Sequence, residues 1–155
     1  MKPIDILKQL KQAEQRAQYP NVPDHGLKPV KYEDKTANGL TKCILDFLNL
    51  SGHFAERINT MGRMVDGRKQ VTDVIGRTKT IGTAKYIPTT GTKGSADISA
   101  TINGRSVKIE VKIGKDRQSQ DQIQYQQRTE QAGGIYLIAK DFQGFYEWYV
   151  QYSNN

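Results

Sequence analysis

Two carboxylates and an amine lie where a single turn can bring them together: Asp97 precedes Asn103-Gly104, and Glu110 and Lys112 follow it. Asn-Gly between two alternating runs is the strongest short-range signal for a two-residue type I′ hairpin, because both central positions need φ > 0. Such a loop pairs Ile102 with Arg105. Counting back along one face sets Thr101 opposite Ser106, Ser99 opposite Lys108 and Asp97 opposite Glu110, with Lys112 next on that face. The other face carries Ile98, Ala100 and Ile102 against Val107, Ile109, Val111 and Ile113, and is core. Carboxylates directly across an antiparallel pair, with β-carbons about 4.5–5.5 Å apart, repel each other. A divalent cation removes the objection, since Mg2+ takes oxygen from one or two carboxylates and leaves its other positions to water and substrate phosphate. A lysine two residues along the face could then orient an attacking water. The alternative reading of these residues is a solvated sheet face with ordinary charges.

Gly94-Ser95-Ala96-Asp97 followed by Glu110-Val111-Lys112 resembles the acidic core of PD-(D/E)XK nucleases, in particular the VRR-NUC branch and the related Holliday junction resolvases. The spacing D-x12-E-x-K spans the Asn-Gly hairpin, and a helix opening with Ser119-x-x-Gln122 follows. The resemblance runs from Thr36 to Tyr149. It implies that Asp97, Glu110 and the main-chain carbonyl of Val111 ligate Mg2+ or Mn2+, that Lys112 positions the attacking water, and that Gln122 or Gln126 reaches toward the site. The family's first helix usually adds a supporting glutamate. Here the equivalent is Asn38 or Thr41, which brings no charge. The implied fold is α/β, a restriction-endonuclease-like core with a mixed central sheet flanked by helices. The implied activity is metal-dependent DNA endonuclease, selective for a four-way junction or a flap. An inactive nucleic-acid-binding protein of the same fold is the alternative, and an assembly protein with a fortuitous motif is a third reading.

The elements that must hold these residues are legible around them. Pro3 to Gln18 reads as a helix with Ile4, Leu7, Leu10, Ala13 and Ala17 at helical spacing. Tyr19 to Lys35, with Pro20, Pro23, Pro29 and Gly26, reads as an extended connector with no functional part. Residues 1–35 are thus expected as helix and linker, and 36–152 as the nuclease domain. Thr36 caps a helix bearing Leu40, Ile44, Leu45, Phe47 and Leu48 that ends at Gly52. His53 to Thr60 alternates as a strand, with Arg57 expected to face the cleft. Ser119 and Gln122 fit a capping box for a helix that Gly133-Gly134 closes, and Ile135 to Ala139 is a strand beside the hairpin.

Lys and Arg total 23 against 16 Asp and Glu, a net +7 that points to a polyanionic partner, DNA first. Glycine-punctuated basic residues from 61 to 93 suit a phosphate backbone. Arg57, Arg63, Arg68, Lys69, Lys93, Lys115 and Arg117 are the candidate contacts, and a solvated, charged hairpin is the plainer account. A lone cysteine, Cys43, and two separated histidines, His25 and His53, argue against a disulfide framework or a zinc site. With no run near the roughly 18 apolar residues of a membrane span and no signal-peptide core, the expectation is a cytoplasmic protein away from membranes. The stripe of the first helix and the aromatics Phe142, Phe145, Tyr146, Trp148 and Tyr149 exceed what a small monomer exposes, so a symmetric homodimer is expected. Packing is the favoured role of the aromatics over base stacking.

Overall fold

The structure, a computed structural model, describes residues 1–59, 62–89 and 91–154. The chain forms two compact units, one of residues 1–58 with 93–155 and one of residues 59–92. Residues on either side of the boundary expected between 35 and 36 fall in the first unit. The first unit contains helices α1 (Pro3–Gln18), α2 (Ala37–Leu50), α3 (Gln120–Gln131) and α4 (Phe142–Ser153) and strands β1 (Phe54–Arg57), β6 (Ile98–Ile102), β7 (Arg105–Val111) and β8 (Ile135–Ala139). The second contains β2 (Arg63–Asp66), β3 (Lys69–Thr72), β4 (Thr78–Ile81) and β5 (Ala84–Ile87).

The four strands of the first unit form a mixed sheet in the order β1-β6-β7-β8, with β7 and β8 parallel and the other pairs antiparallel. A parallel pair needs a crossover, and α3 supplies it. Asn103 (φ 50°) and Gly104 (φ 77°) make the turn between β6 and β7. The register follows: Ile102 pairs with Arg105, Ser99 with Lys108 and Ile98 with Ile109. One face buries Ile98, Ala100, Ile102, Val107 and Ile109 against Leu40, Ile44, Phe47 and Leu48 of α2. Thr36 caps α2 by accepting the Gly39 N–H at 3.1 Å. The strand expected from His53 to Thr60 is shorter, Phe54–Arg57, and Thr60 lies outside the described residues.

Both apolar surfaces on which the dimer expectation rested are used inside this unit. Leu7 is fully buried, and Ile4 and Leu10 pack against the same core. Phe142 and Phe145 are buried, and Phe47 meets Phe142, Phe145, Tyr146 and Tyr149 edge-on. Phe142 and Phe145 pack in the core, as favoured for the aromatics, and Tyr146, Trp148 and Tyr149 are partly buried against it.

The connector is less idle than its prolines suggest. It contains a short 3-10 turn, Asp24–Gly26, and beyond it Asp34 accepts the Phe142 N–H at 3.0 Å, capping the approach to α4, while Tyr32 donates to Asp46 at 2.7 Å. Burial pushes the Cys43 thiol up to about 11, with Asp34 adding to it, and its Sγ donates to the Glu33 carbonyl at 3.4 Å. No helix among the described residues is long and apolar enough to cross a membrane.

Candidate functional site

Glu110 sits on the polar face of the hairpin, at the end away from the turn, 2% exposed. It is the second-last residue of β7 and shares its face with Lys108 and Lys112, while its neighbours Ile109 and Val111 turn into the core. A carboxylate so deep needs partners, and Glu110 has three. Lys112 Nζ lies 3.0 Å from Oε1, Gln122 Nε2 donates to the same oxygen at 2.5 Å, and the Tyr136 hydroxyl approaches Oε2 at 3.5 Å. Lys112, 8% exposed, also reaches Asp116 Oδ2 at 3.5 Å. Asp97 lies just before β6, where the ladder leads into the position across from Glu110. Its Oδ2 accepts the Val111 N–H at 2.9 Å, which ties the acid to the segment of β7 that carries the other two groups.

The charges act on one another as this geometry requires. Burial pushes the Glu110 carboxyl above the usual carboxylate range; the Lys112 bond opposes the shift without cancelling it, and the charge of Asp97 adds to it. For Lys112, burial works against the ammonium, but the bond to Glu110 and the charges of Glu110 and Asp116 outweigh it, so the amine is held above its ordinary range. Burial, then the charge of Glu110, raises the Tyr136 hydroxyl.

The start of α3 is built into the site. Ser119 and Gln122 form the full capping box: Gln122 Oε1 accepts the Ser119 N–H at 2.9 Å and Ser119 Oγ accepts the Gln122 N–H at 3.3 Å. The same Gln122 side chain spends its N–H on Glu110. Gln126 stays out of the site, accepting from Gln118 at 3.0 Å and donating to Glu130 at 2.9 Å. Gly94 makes the close docking possible. It has φ +77°, and a β-carbon there would stand 2.4 Å from the Asp121 carbonyl and 2.8 Å from the Gln122 nitrogen. Lys93 binds Asp121 at 3.0 Å beside it.

Asp97, Glu110, Val111, Lys112 and Gln122 thus converge, and the other expected site residues lie elsewhere. Arg57 does not face this cleft: it pairs with Ile98, on the α2 side of the sheet, and donates to Asn38 Oδ1 at 2.9 Å. On α2, Asn38 accepts that bond and Thr41 donates to the Ala37 carbonyl at 2.7 Å, so neither of the two expected positions brings a carboxylate to the acids. Lys115 and Arg117 are exposed in the loop after β7. Arg63, Arg68 and Lys69 belong to the second unit, where Arg68 forks onto Asp66 at 2.8 and 2.9 Å. Sequence reasoning missed Tyr136, and it quoted Gly94 in the motif without reading its part in docking α3. Tyr136 pairs with Lys108 across the parallel β7–β8 ladder, and an alternation count along Ile135–Ala139 would have set it on the acid face. The signal for Gly94 is a glycine three residues before the aspartate.

Oxygen donors of this kind, two carboxylates and a main-chain carbonyl, are hard ligands that suit Mg2+ or Mn2+. The repulsion between Asp97 and Glu110 is what a divalent ion would relieve. Among the described residues no three His, Cys, Asp or Glu side chains form a metal-holding group, so such an ion would rest on two carboxylates with the Val111 carbonyl, water and phosphate completing it. Comparison with protein-family models, with curated proteins and with solved structures finds no match to this chain.

Proposed function

We propose that the chain is a metal-dependent DNA endonuclease of the restriction-endonuclease-like type, hydrolysing phosphodiester bonds at branched or duplex DNA. The observation that carries the reading is the buried Glu110 carboxylate, joined to Lys112 and Gln122 and repelled by Asp97, on the hairpin that carries D-x12-E-x-K. A sheet built for stability alone would not gather these charges. The mixed sheet with its acid-bearing central hairpin supports the same reading.

In this reading Asp97, Glu110 and the Val111 carbonyl hold Mg2+ or Mn2+. A divalent ion there would supply charge neutralisation at the phosphate and lower the pKa of the attacking water. The rest falls to the chain's own groups. Lys112 is held as an ammonium by Glu110 and Asp116, so it orients the water and offsets phosphate charge rather than taking a proton. Gln122 fixes Glu110 by donating to Oε1, the oxygen that Lys112 also meets, and Oε2 faces the Tyr136 hydroxyl. Tyr136, with its hydroxyl protonated, closes that side.

The test is incubation with Mg2+ or Mn2+ and labelled junction, flap, duplex and single-stranded DNA, beside Asp97→Asn and Glu110→Gln. Cleavage that needs the ion and falls at least about a hundredfold in each variant is expected. Binding without cleavage in the wild type would favour the inactive binding protein, a reading kept in view by the engagement of Asn38 with Arg57. A Glu110→Gln protein that cuts at the wild-type rate would dispose of the site.

A further inference from the structure

The second unit is two antiparallel ribbons, β2 with β5 and β3 with β4, and every strand residue in it is exposed. Two-stranded ribbons are marginal alone, and here neither strand pair has a buried side. The register sorts their side chains. On one face of the outer ribbon Lys69 stands opposite Ile81 and Val71 opposite Lys79, while the other face carries Gln70, Thr80, Thr72 and Thr78. The inner ribbon repeats the pairing, Arg63 with Ile87 and Val65 with Lys85. Each of these four cross-strand pairs joins a cation to an aliphatic.

At the turn the composition changes. Val74 is 104% exposed and Ile75 75% exposed, adjacent at a tip where polar residues are usual. The tip is ordered by its own chain: Asp73 Oδ1 accepts the Ile75 N–H at 2.9 Å and the Arg77 N–H at 2.8 Å, and Gly76 has φ +81°. Asp73 is engaged by backbone N–H groups of the turn and Asp66 by Arg68, so six Lys and Arg against two Asp leave the segment with a clear excess of positive charge.

We propose that the 59–92 unit grips double-stranded nucleic acid, the cation–aliphatic faces of its ribbons meeting phosphates and sugars, and that Val74 and Ile75 enter the minor groove as an apolar wedge between base steps. Charge complementarity selects a polyanion. Within that class, cations interleaved with aliphatics suit a backbone whose sugars are apolar between charged phosphates, and a rigid aliphatic tip suits unstacking. Two-stranded ribbons serve as readers of either groove, and it is from the minor groove that apolar side chains are inserted between base steps. Unstacking costs least where pairing is already broken, so the wedge favours branched DNA. This rests on the reading of the chain as acting on DNA, but it does not need catalysis.

The experiment uses the full chain in EDTA, so that a failure of cleavage cannot mask it. A duplex and a four-way junction carrying 2-aminopurine report unstacking, and titration at several salt concentrations reports affinity. Wild type is expected to raise the fluorescence. Val74→Ser/Ile75→Ser should abolish the rise and weaken binding about tenfold, and Val74→Ile/Ile75→Val should restore both. Lys69→Ala/Lys79→Ala/Lys85→Ala should make the salt slope shallower by about 0.9 for each phosphate that is no longer neutralised. Unchanged fluorescence and affinity in the serine variant would overturn the wedge. Preferential binding to polyglutamate or to anionic phospholipid vesicles, tested alongside, would overturn the choice of nucleic acid.

Discussion

Lys112→Met is the sharpest probe of the acid cluster, because it keeps the buried stem and removes only the charge. Wild-type Lys112 lies 3.0 Å from a carboxylate that is 2% exposed. Removing one partner of a buried pair costs about 3–5 kcal/mol, since the other charge stays buried. Glu110 keeps the Gln122 bond and can take up a proton, so the lower end applies, about 3 kcal/mol at pH 8, or a melting point lower by about 6–12 °C. The pH dependence has a fixed sign. The folded-state pKa of Glu110 is raised, so ionising it takes stability from the folded chain as pH rises from the unfolded carboxylate value through the folded one. Without Lys112 that pKa rises further and the loss grows. The pKa of Lys112 is also raised, so its own contribution is fully present throughout this range, below the unfolded lysine value. The deficit of Lys112→Met should therefore shrink as the pH is lowered from 8 to 5, because protonation of Glu110 removes the charge left without its partner. Urea denaturation at both pH values, in EDTA, measures it. A loss under about 1 kcal/mol at pH 8, or the same loss at both pH values, would refute the argument.

Other substitutions separate the supporting contacts. Gln122→Glu keeps the cap but sets a second carboxylate against Glu110, so a loss of about 2 kcal/mol at pH 8 is expected by urea denaturation, whereas Gln126→Ala, with bonds only to Gln118 and Glu130, should lose about 1 kcal/mol or less. Leu7→Ala should cost about 2–5 kcal/mol at every protein concentration, as packing within one chain requires; a melting point that rises with concentration would return α1 to a subunit interface. Gly94→Ala should cost more than about 1 kcal/mol and lower cleavage with it, since the φ of +77° and the Asp121 backbone both exclude a methyl group. Wild-type stability and activity in that variant would show that the approach of this loop to α3 is not needed.

The central hairpin was legible because local chemistry decides it. Asn103-Gly104 sets the turn, the turn sets the register, and a register error of one residue would have thrown Ile98 and Ile109 into solvent. Caps at Thr36 and Ser119 were legible for the same reason, being bonds within four residues. What the chain did not announce depends on partners far along it. The apolar stripe of α1 looks the same whether it meets another chain or its own α2, and the burial of Leu7 decides it. Arg57 sat in a four-residue strand whose facing is set by pairing with Ile98, more than thirty residues on. The reading of residues 61–93 as basic and glycine-rich was available, but not that its cations would stand opposite aliphatics, which needs the register of two separate ribbons.

Gln122 shows how closely the fold and the proposed chemistry share parts. A capping box accepts Glu or Gln at the third helical position, and Glu would add favourable charge at the helix N-terminus. In this chain the same side chain must donate to Glu110, and only an amide has both an oxygen for the Ser119 N–H and an N–H for the carboxylate. The requirement of the site therefore overrides the better choice for the helix. It also makes the helix start and the acid interdependent: Glu110 is fixed only where α3 begins at Ser119, and α3 can begin there only because Gly94 lets the loop before Asp97 pass against Asp121. Asp97, bonded to the Val111 N–H, closes the circuit. Asp97 is thus held by a main-chain N–H and Glu110 by the side chains of Lys112, Gln122 and Tyr136, so two carboxylates that repel are kept near each other by other partners.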